Sequence, residues 1–316
     1  AEVRELREIR AQQPRYNRRS RDPATTVYLA LTDEPFPRLS IVRSPRPAHA
    51  WTLGPLTSRT SAEHLTEAVA EAVGLRTCTP RLRLAQDHPA CVLKDLGRCG
   101  APCDGSQSRD GYAEVVTAAL AMLDDPGDLL DGLRRRMDEL ARDGRFERAA
   151  EVRTRLHAVA RALLGLRRRT MLAGVERLVA ARPRPTGTEV VVVRRGRLDA
   201  SAVLSDGQPD LPSDLELPAR SFDPLGAHDP LAVAELLTVP GPARPPHPQH
   251  TEELGLVLAW LHRPDVRALA VDGRLASPVP AGAALAATAA EAREVERHRR
   301  RDRQALAGDK VRRQTE

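Results

Sequence analysis

Lysine is almost missing from this chain: of 49 basic residues only Lys94 and Lys310 are lysine, and the rest are arginine. A GC-rich coding sequence accounts for arginine over lysine without any functional reason. Aromatic residues are scarce at 3%, so the core implied by 41% hydrophobic content must rest on Leu, Val and Ala. No apolar run approaches the roughly 18–20 residues that cross a bilayer, which excludes a transmembrane helix. No secretory signal is present, and the expected compartment is the cytoplasm. Cysteine is limited to four residues within one short stretch, Cys78 to Cys103. Disulfides are rare in the cytoplasm, so clustered thiols there read as metal ligands before crosslinks. The chain opens on AEVRELREIR without a methionine, and the expectation is a start inside a longer protein or after processing. What is present in excess is positive charge. A formal net charge of +6 and a pI near 9.6 favour an anionic partner, nucleic acid first.

The length fits two or three domains, and the hydrophobic pattern organises them. Residues 2–13 carry Val3, Leu6 and Ile9 on one helical stripe, ended by PRYN. TTVYLAL (25–31) and RLSIV (38–42) read as strands. SAEHLTEAVAEAVG (61–74) reads as a helix with a serine cap, an acidic first turn and a glycine stop. Another helix is expected over 109–123. From Leu129 to about Leu164, apolar residues at helical spacing on both sides of ARDGR predict a helical hairpin. The helical pattern continues to about Ala181, and PRPTG marks a boundary. TEVVVVRRGRLDASAVL (188–204) predicts a β-hairpin turning at RRGR. Residues 252–264 predict a helix and 265–273 a strand. Residues 205–248 are rich in Pro and Asp and read as a loop. The tail, with AREVERHRRRDRQ, is a charged helix or a disordered arm.

The cysteines are spaced C-x12-C-x7-C-x3-C. Cys99 and Cys103 can face inward from one tight turn, and longer loops bring Cys91 and Cys78 round. Zinc and a [4Fe-4S] cluster both accept four thiolates, and spacing alone does not separate them.

The segment TCTPRLRLAQDHPACVLKDLGRCGAPCDG resembles the cysteine region of UvrC-type excision nuclease subunits. Family members bind a [4Fe-4S] cluster through these positions. The resemblance therefore implies Cys78, Cys91, Cys99 and Cys103 as ligands of an iron–sulfur cluster rather than zinc. Arg81, Arg83, Lys94 and Arg98 around it are implied DNA contacts. RMDELARDGRFERAAEVRTRL resembles the UVR motif, which docks onto a matching hairpin of UvrB, a helicase-like subunit. Met137, Leu140, Phe146, Glu147, Ala149, Ala150 and Arg153 are the implied partner face. Thr154 departs from the usual aspartate. Upstream, ELREIRAQQPRYNRRSRD resembles the end of a GIY-YIG nuclease domain. There Glu5 matches the carboxylate that binds a divalent metal, Mg or Mn, and Asn17 the asparagine beside it. Arg15, Arg18 and Arg19 are further DNA-contact candidates. PRLSIVRSPRPAHAWTLGPLTS (37–58) fits the family's P-R-L and a G-P-F-like turn, with Leu56 replacing the aromatic.

The GIY and YIG strands and the catalytic arginine should precede Glu5, and residues 1–4 cannot hold them. The resemblance covers residues 1–165. Residues 186–275 lack the acidic context of the family's second nuclease: Asp199 and Asp272 at strand ends are a poor case for two-metal chemistry. The layout is similar to short actinobacterial relatives with an N-terminal DEDD exonuclease domain.

The expected fold class is α+β. Its expected parts are a GIY-YIG remnant (1–24), a connecting β-strand and helix region (25–77), and a four-Cys region with a helix (78–128). A UVR-like hairpin (129–164), a helix with a small α/β domain (165–275) and a charged tail (276–316) follow. The implied function is a DNA-repair endonuclease that cuts near lesions and recruits a UvrB-like subunit, with no membrane association. The alternative is a non-catalytic iron–sulfur adaptor that binds DNA or UvrB. A weaker reading is a zinc-binding DNA protein outside excision repair.

Overall fold

The computed structural model describes residues 1–15, 26–83, 88–204, 250–272 and 282–315. Asn17, Arg18, Arg19 and the Pro-rich stretch 205–248 lie outside them. The described elements mix helix and sheet, as an α+β class requires.

Helix α1 (Glu2–Gln12) comes first, with Val3 and Leu6 buried. Strands β1 (Val27–Leu31), β2 (Leu39–Val42) and β3 (Thr52–Leu56) form an antiparallel sheet in the order β2-β1-β3. All five residues of the central β1 are buried. β3 was not expected, because Gly54-Pro55 reads as a turn. The Gly54–Pro55 peptide is cis, and β3 is an edge strand, where a missing N–H is tolerated.

Helix α2 (Arg59–Val73) starts two residues earlier than the sequence predicts. Its cap is Ser58, whose hydroxyl accepts from Ser61 N at 3.2 Å, and its first turn holds no acid. Gly74 ends it in the left-handed region at φ 74°, as expected of the glycine stop. A short helix α3 (Val92–Asp95) lies within the cysteine segment, and α4 (Arg109–Asp124) follows it, capped by Ser108.

The hairpin consists of α5 (Gly127–Arg142) and α6 (Phe146–Gly174). Its turn is a glycine-centred helix stop: Gly144 has φ 72°, and Arg145 N donates to Leu140 O at 2.8 Å. Leu129, Leu130, Leu156, Val159, Ala160, Leu163 and Leu166 join the first sheet, α2 and α4 in one core. The hairpin's base is therefore buried in its own chain.

Helix α6 ends at Gly174, short of the expected Ala181. The next apolar run is strand β4 (Arg177–Arg184). Val179 and Ala180 are fully buried, and a short continuous apolar run does not distinguish strand from helix by period. PRPTG is consequently not a boundary but the turn from β4 into β5 (Gly187–Arg194). Strand β6 (Arg197–Leu204) completes the expected hairpin, with Arg195 and Gly196 both at positive φ in its turn. Helix α7 (Thr251–Leu261) and strand β7 (Arg267–Asp272) give a second antiparallel sheet, β6-β5-β4-β7.

Helix α8 (Gly282–Thr315) carries the charged tail sequence. Leu285, Thr288, Ala289 and Ala292 are buried, and Arg134 of α5 donates to the Thr288 hydroxyl. The N-terminal part of α8 thus packs on the hairpin.

Candidate functional site

The loop from Leu75 to Cys103 is organised by a residue the sequence reading passed over. Arg76 is 1% exposed and lies against Glu34, 5% exposed, with Nη2 to Oε2 at 2.6 Å. Its Nε donates to Phe36 O at 2.7 Å, and Nη1 donates to Cys78 O at 3.0 Å and Pro80 O at 2.9 Å. Nη1 also lies 3.3 Å from Cys78 Sγ. The guanidinium therefore ties the first cysteine to the sheet and offers that sulfur a charged donor. Tyr112 of α4, fully buried, donates to Pro37 O at 2.7 Å and packs edge-on against Phe36. Burial pushes its phenol up, so it stays protonated. The signal for Arg76 was a lone arginine inside the otherwise neutral VGLRTC, next to a cysteine.

The other three thiols lie in the same neighbourhood. Burial raises the Cys99 and Cys103 thiols, and the charges of Cys78 and Cys91 raise them further. Cys91 is exposed, and the other three are half-buried. His88 N donates to Cys103 O at 2.8 Å and Lys94 N to Cys91 O at 3.0 Å, so the backbone folds the segment on itself. Among the described residues no three His, Cys, Asp or Glu side chains stand together as a metal-holding set. The donor chemistry, four cysteines with a guanidinium on one of them, fits a thiolate-bound metal group.

The basic residues of the segment divide into two kinds. Arg81 and Arg83 are exposed, Arg81 donating to Asp33 O at 2.9 Å. Lys94 and Arg98 are committed to internal pairs, with Asp104 at 2.6 Å and Glu71 at 3.0 Å. The ammonium and hydroxyl donors of Lys94 and Ser106 hold the Asp104 carboxyl at about 2.

Glu5 is exposed on the first turn of α1. The opposite side of that helix enters a core with Leu172, Val175, Leu178, Val191 and Leu254. Arg15 is exposed beyond the helix. Asp199 and Asp272 are tied to Arg194 at 2.7 Å and to Arg177 at 3.2 Å, separate ion pairs rather than a two-metal site.

On the hairpin, Phe146 is 70% exposed, and Glu147 and Arg153 are exposed beside it. Met137 and Ala150 are half-buried. Leu140 and Ala149 are buried in the hairpin itself. A phenyl ring left in water at the tip of a packed hairpin is an unpartnered anchor.

The chain thus joins a thiol-rich basic segment to a hairpin whose aromatic tip is open to solvent. Comparison with known proteins specifies the class. Residues 26–122 match the UvrC/Cho excinuclease middle domain, and residues 127–160 match the UvrB/UvrC motif. Over these residues the chain matches the middle domain and the UVR motif of UvrC-type excinucleases. A Mycobacterium tuberculosis protein named "Putative bifunctional exonuclease/endonuclease protein" is 36% identical over 306 residues, covering 94% of this chain and 44% of that protein. UvrABC system protein C of Natronomonas pharaonis is 40% identical over 152 residues, covering 48% of this chain and 26% of its own. The same-named protein of Chlorobium luteolum is 31% identical over 158 residues, covering 48% and 25%. The chain thus spans less than half the length of these relatives. No solved structure matches it.

Proposed function

We propose that the intact protein is a DNA-repair endonuclease of the UvrC type, cutting one strand near a lesion together with a UvrB-like subunit. The observation that carries this is the coincidence of the middle-domain match, which contains all four cysteines, with the adjoining UVR match. The name of the mycobacterial relative supports an exonuclease function joined to the endonuclease in the longer protein.

In this reading Glu5 holds a divalent metal, Mg or Mn, at a GIY-YIG active site, with Asn17 beside it. One carboxylate makes a weak site completed by water and the phosphate. The metal, when bound, stabilises charge on the scissile phosphate and leaving oxygen. Arg15, Arg18 and Arg19 neutralise backbone phosphates near the cut. Cys78, Cys91, Cys99 and Cys103 hold a [4Fe-4S] cluster that braces the loop, and Arg76 orients Cys78 toward it. Arg81 and Arg83, both exposed, meet DNA. Lys94 and Arg98 contribute only by exchanging Asp104 and Glu71 for phosphate. Phe146, with Glu147 and Arg153, meets the UvrB-like partner. Met137 and Ala150 support that face, and Leu140 and Ala149 keep the hairpin closed.

The test is Glu5→Ala in the intact protein with a lesion-bearing duplex. Nicking is expected to fall by at least a hundredfold with DNA affinity nearly unchanged; normal nicking removes Glu5 from the site.

A further inference from the structure

Helix α6 sends three consecutive arginines in three directions. Arg167 donates to Asp124 O at the end of α4, at 2.6 Å. Arg169, 8% exposed, donates to Pro55 O at 3.2 Å. Arg168 is half-buried, and burial first, then the like charge of Arg293 on α8, lowers its pKa. His262, at the end of α7, feels both Arg168 and Arg293 and is held below the ordinary histidine range, first by burial. Positive groups from α6 and α8 therefore converge beside the end of α7.

That convergence borders a groove of about 530 Å³ lined by Ala290, Arg293, Glu296, Arg297 and Arg300. Its one carboxylate, Glu296, is already shared between Arg161 at 3.5 Å and Arg300 at 3.3 Å. Among the described residues Arg293 and Arg297 have no ion pair. On a helix Arg297 faces Arg293 and Arg301 four residues away, and both are like charges, an arrangement that is unfavourable on its own. The lining arginines are exposed, so packing does not explain them. An external anion relieves all of these repulsions together.

Arg293, Arg297 and Arg300 form a stripe about 10 Å long at 1.5 Å per residue. One strand of B-DNA carries about three phosphates over that length. We propose that the Arg293, Arg297 and Arg300 face of α8, with Arg168 behind it, is a second DNA-backbone site that grips duplex DNA away from the cysteine segment. This rests on the reading of the protein as DNA-acting and adds a contact surface that neither the cysteine segment nor the UVR hairpin supplies. The contact is to phosphate and carries no sequence information.

The test is fluorescence anisotropy of a labelled random-sequence duplex against salt. Wild type is compared with Arg293→Ser/Arg297→Ser/Arg300→Ser and, in parallel, with Arg81→Ser/Arg83→Ser. All the substituted residues are exposed, so folding is expected to survive, checked by circular dichroism. The triple variant is expected to lose at least tenfold in affinity at low salt, with the log–log salt slope shallower by about 2–3. An unchanged slope with Arg81 and Arg83 still sensitive overturns the α8 site and leaves the DNA-repair reading standing. That outcome points the groove toward an acidic protein. No duplex binding by wild type overturns both.

Discussion

The buried ion pair between Arg76 and Glu34 decides the order of the cysteine loop. Glu34 also accepts from Leu82 N at 3.1 Å and from the Thr32 hydroxyl at 2.6 Å, so it holds both ends of the loop's first turn. Glu34→Ala strands a guanidinium in the core, and removing one partner of a buried pair costs about 3–5 kcal/mol. Urea unfolding of that variant should show a loss of this size, and a loss under about 1 kcal/mol would mean that water reaches Arg76 freely. The thiols make a second residue-level prediction. Anaerobically purified protein should be brown and contain about four irons with matching sulfide, and Cys99→Ser should lose most of the iron. A colourless preparation with one zinc per chain contradicts the cluster. The four cysteines stand out in the sequence as a group because they fall within one short stretch. Arg76 does not, since an arginine's burial depends on carbonyls contributed by Phe36, Cys78 and Pro80, which only the fold brings together. Glu5 is a candidate through family resemblance alone; as a side chain it is an exposed helix glutamate.

At the scale of elements, the hairpin separates stability from recognition. Phe146→Ala should weaken binding to a UvrB-like subunit by about 10- to 100-fold, as loss of an aromatic anchor does, and leave the melting temperature within a degree or two. Leu140→Ala should do the reverse, destabilising the fold by about 2–4 kcal/mol through the cavity it leaves. Calorimetric titration beside thermal melts reads both, and equal affinity for Phe146→Ala would place the partner face elsewhere.

The seam between α6 and α8 carries a pH dependence. His157 is held below the ordinary histidine range by burial, with Glu291 opposing and Arg161, Arg153 and Arg299 reinforcing. Near neutral pH the imidazole is neutral in folded and unfolded chains. As pH falls through about 6.5, the unfolded chain takes up a proton that the folded one resists, so stability is lost toward acid. The melting temperature should fall between about pH 7.5 and 5.5, and fall less in His157→Gln.

Most helices and the β5–β6 hairpin were readable from period and turn chemistry. The misread elements, β3 and β4, share a cause. Gly54-Pro55 looks like a turn and Leu178–Ala181 looks like more helix, until pairing with β1, β5 and β7 makes each a strand.

For the whole molecule, the finding beyond the sequence is where α1 sits. Arg7 bridges to Glu253, 2% exposed, at 2.5 Å, and Glu253 also accepts from Leu198 N at 3.0 Å. Arg10 pairs with Glu252 at 3.0 Å. The helix bearing Glu5 is thus fastened to the second sheet's unit, the part of the chain whose role the sequence left open. Among the described residues no helix is long and apolar enough to cross a membrane.

The proposed damage-directed nuclease activity with a partner is tested most directly by strand incision with the intact protein. Duplexes with and without a single bulky lesion are incubated with Mg or Mn, in the presence and absence of a UvrB-like subunit. A nick in one strand near the lesion is expected only when lesion and partner are both present. Cutting that is indifferent to lesion and partner, or no cutting under any of these conditions, contradicts that proposal.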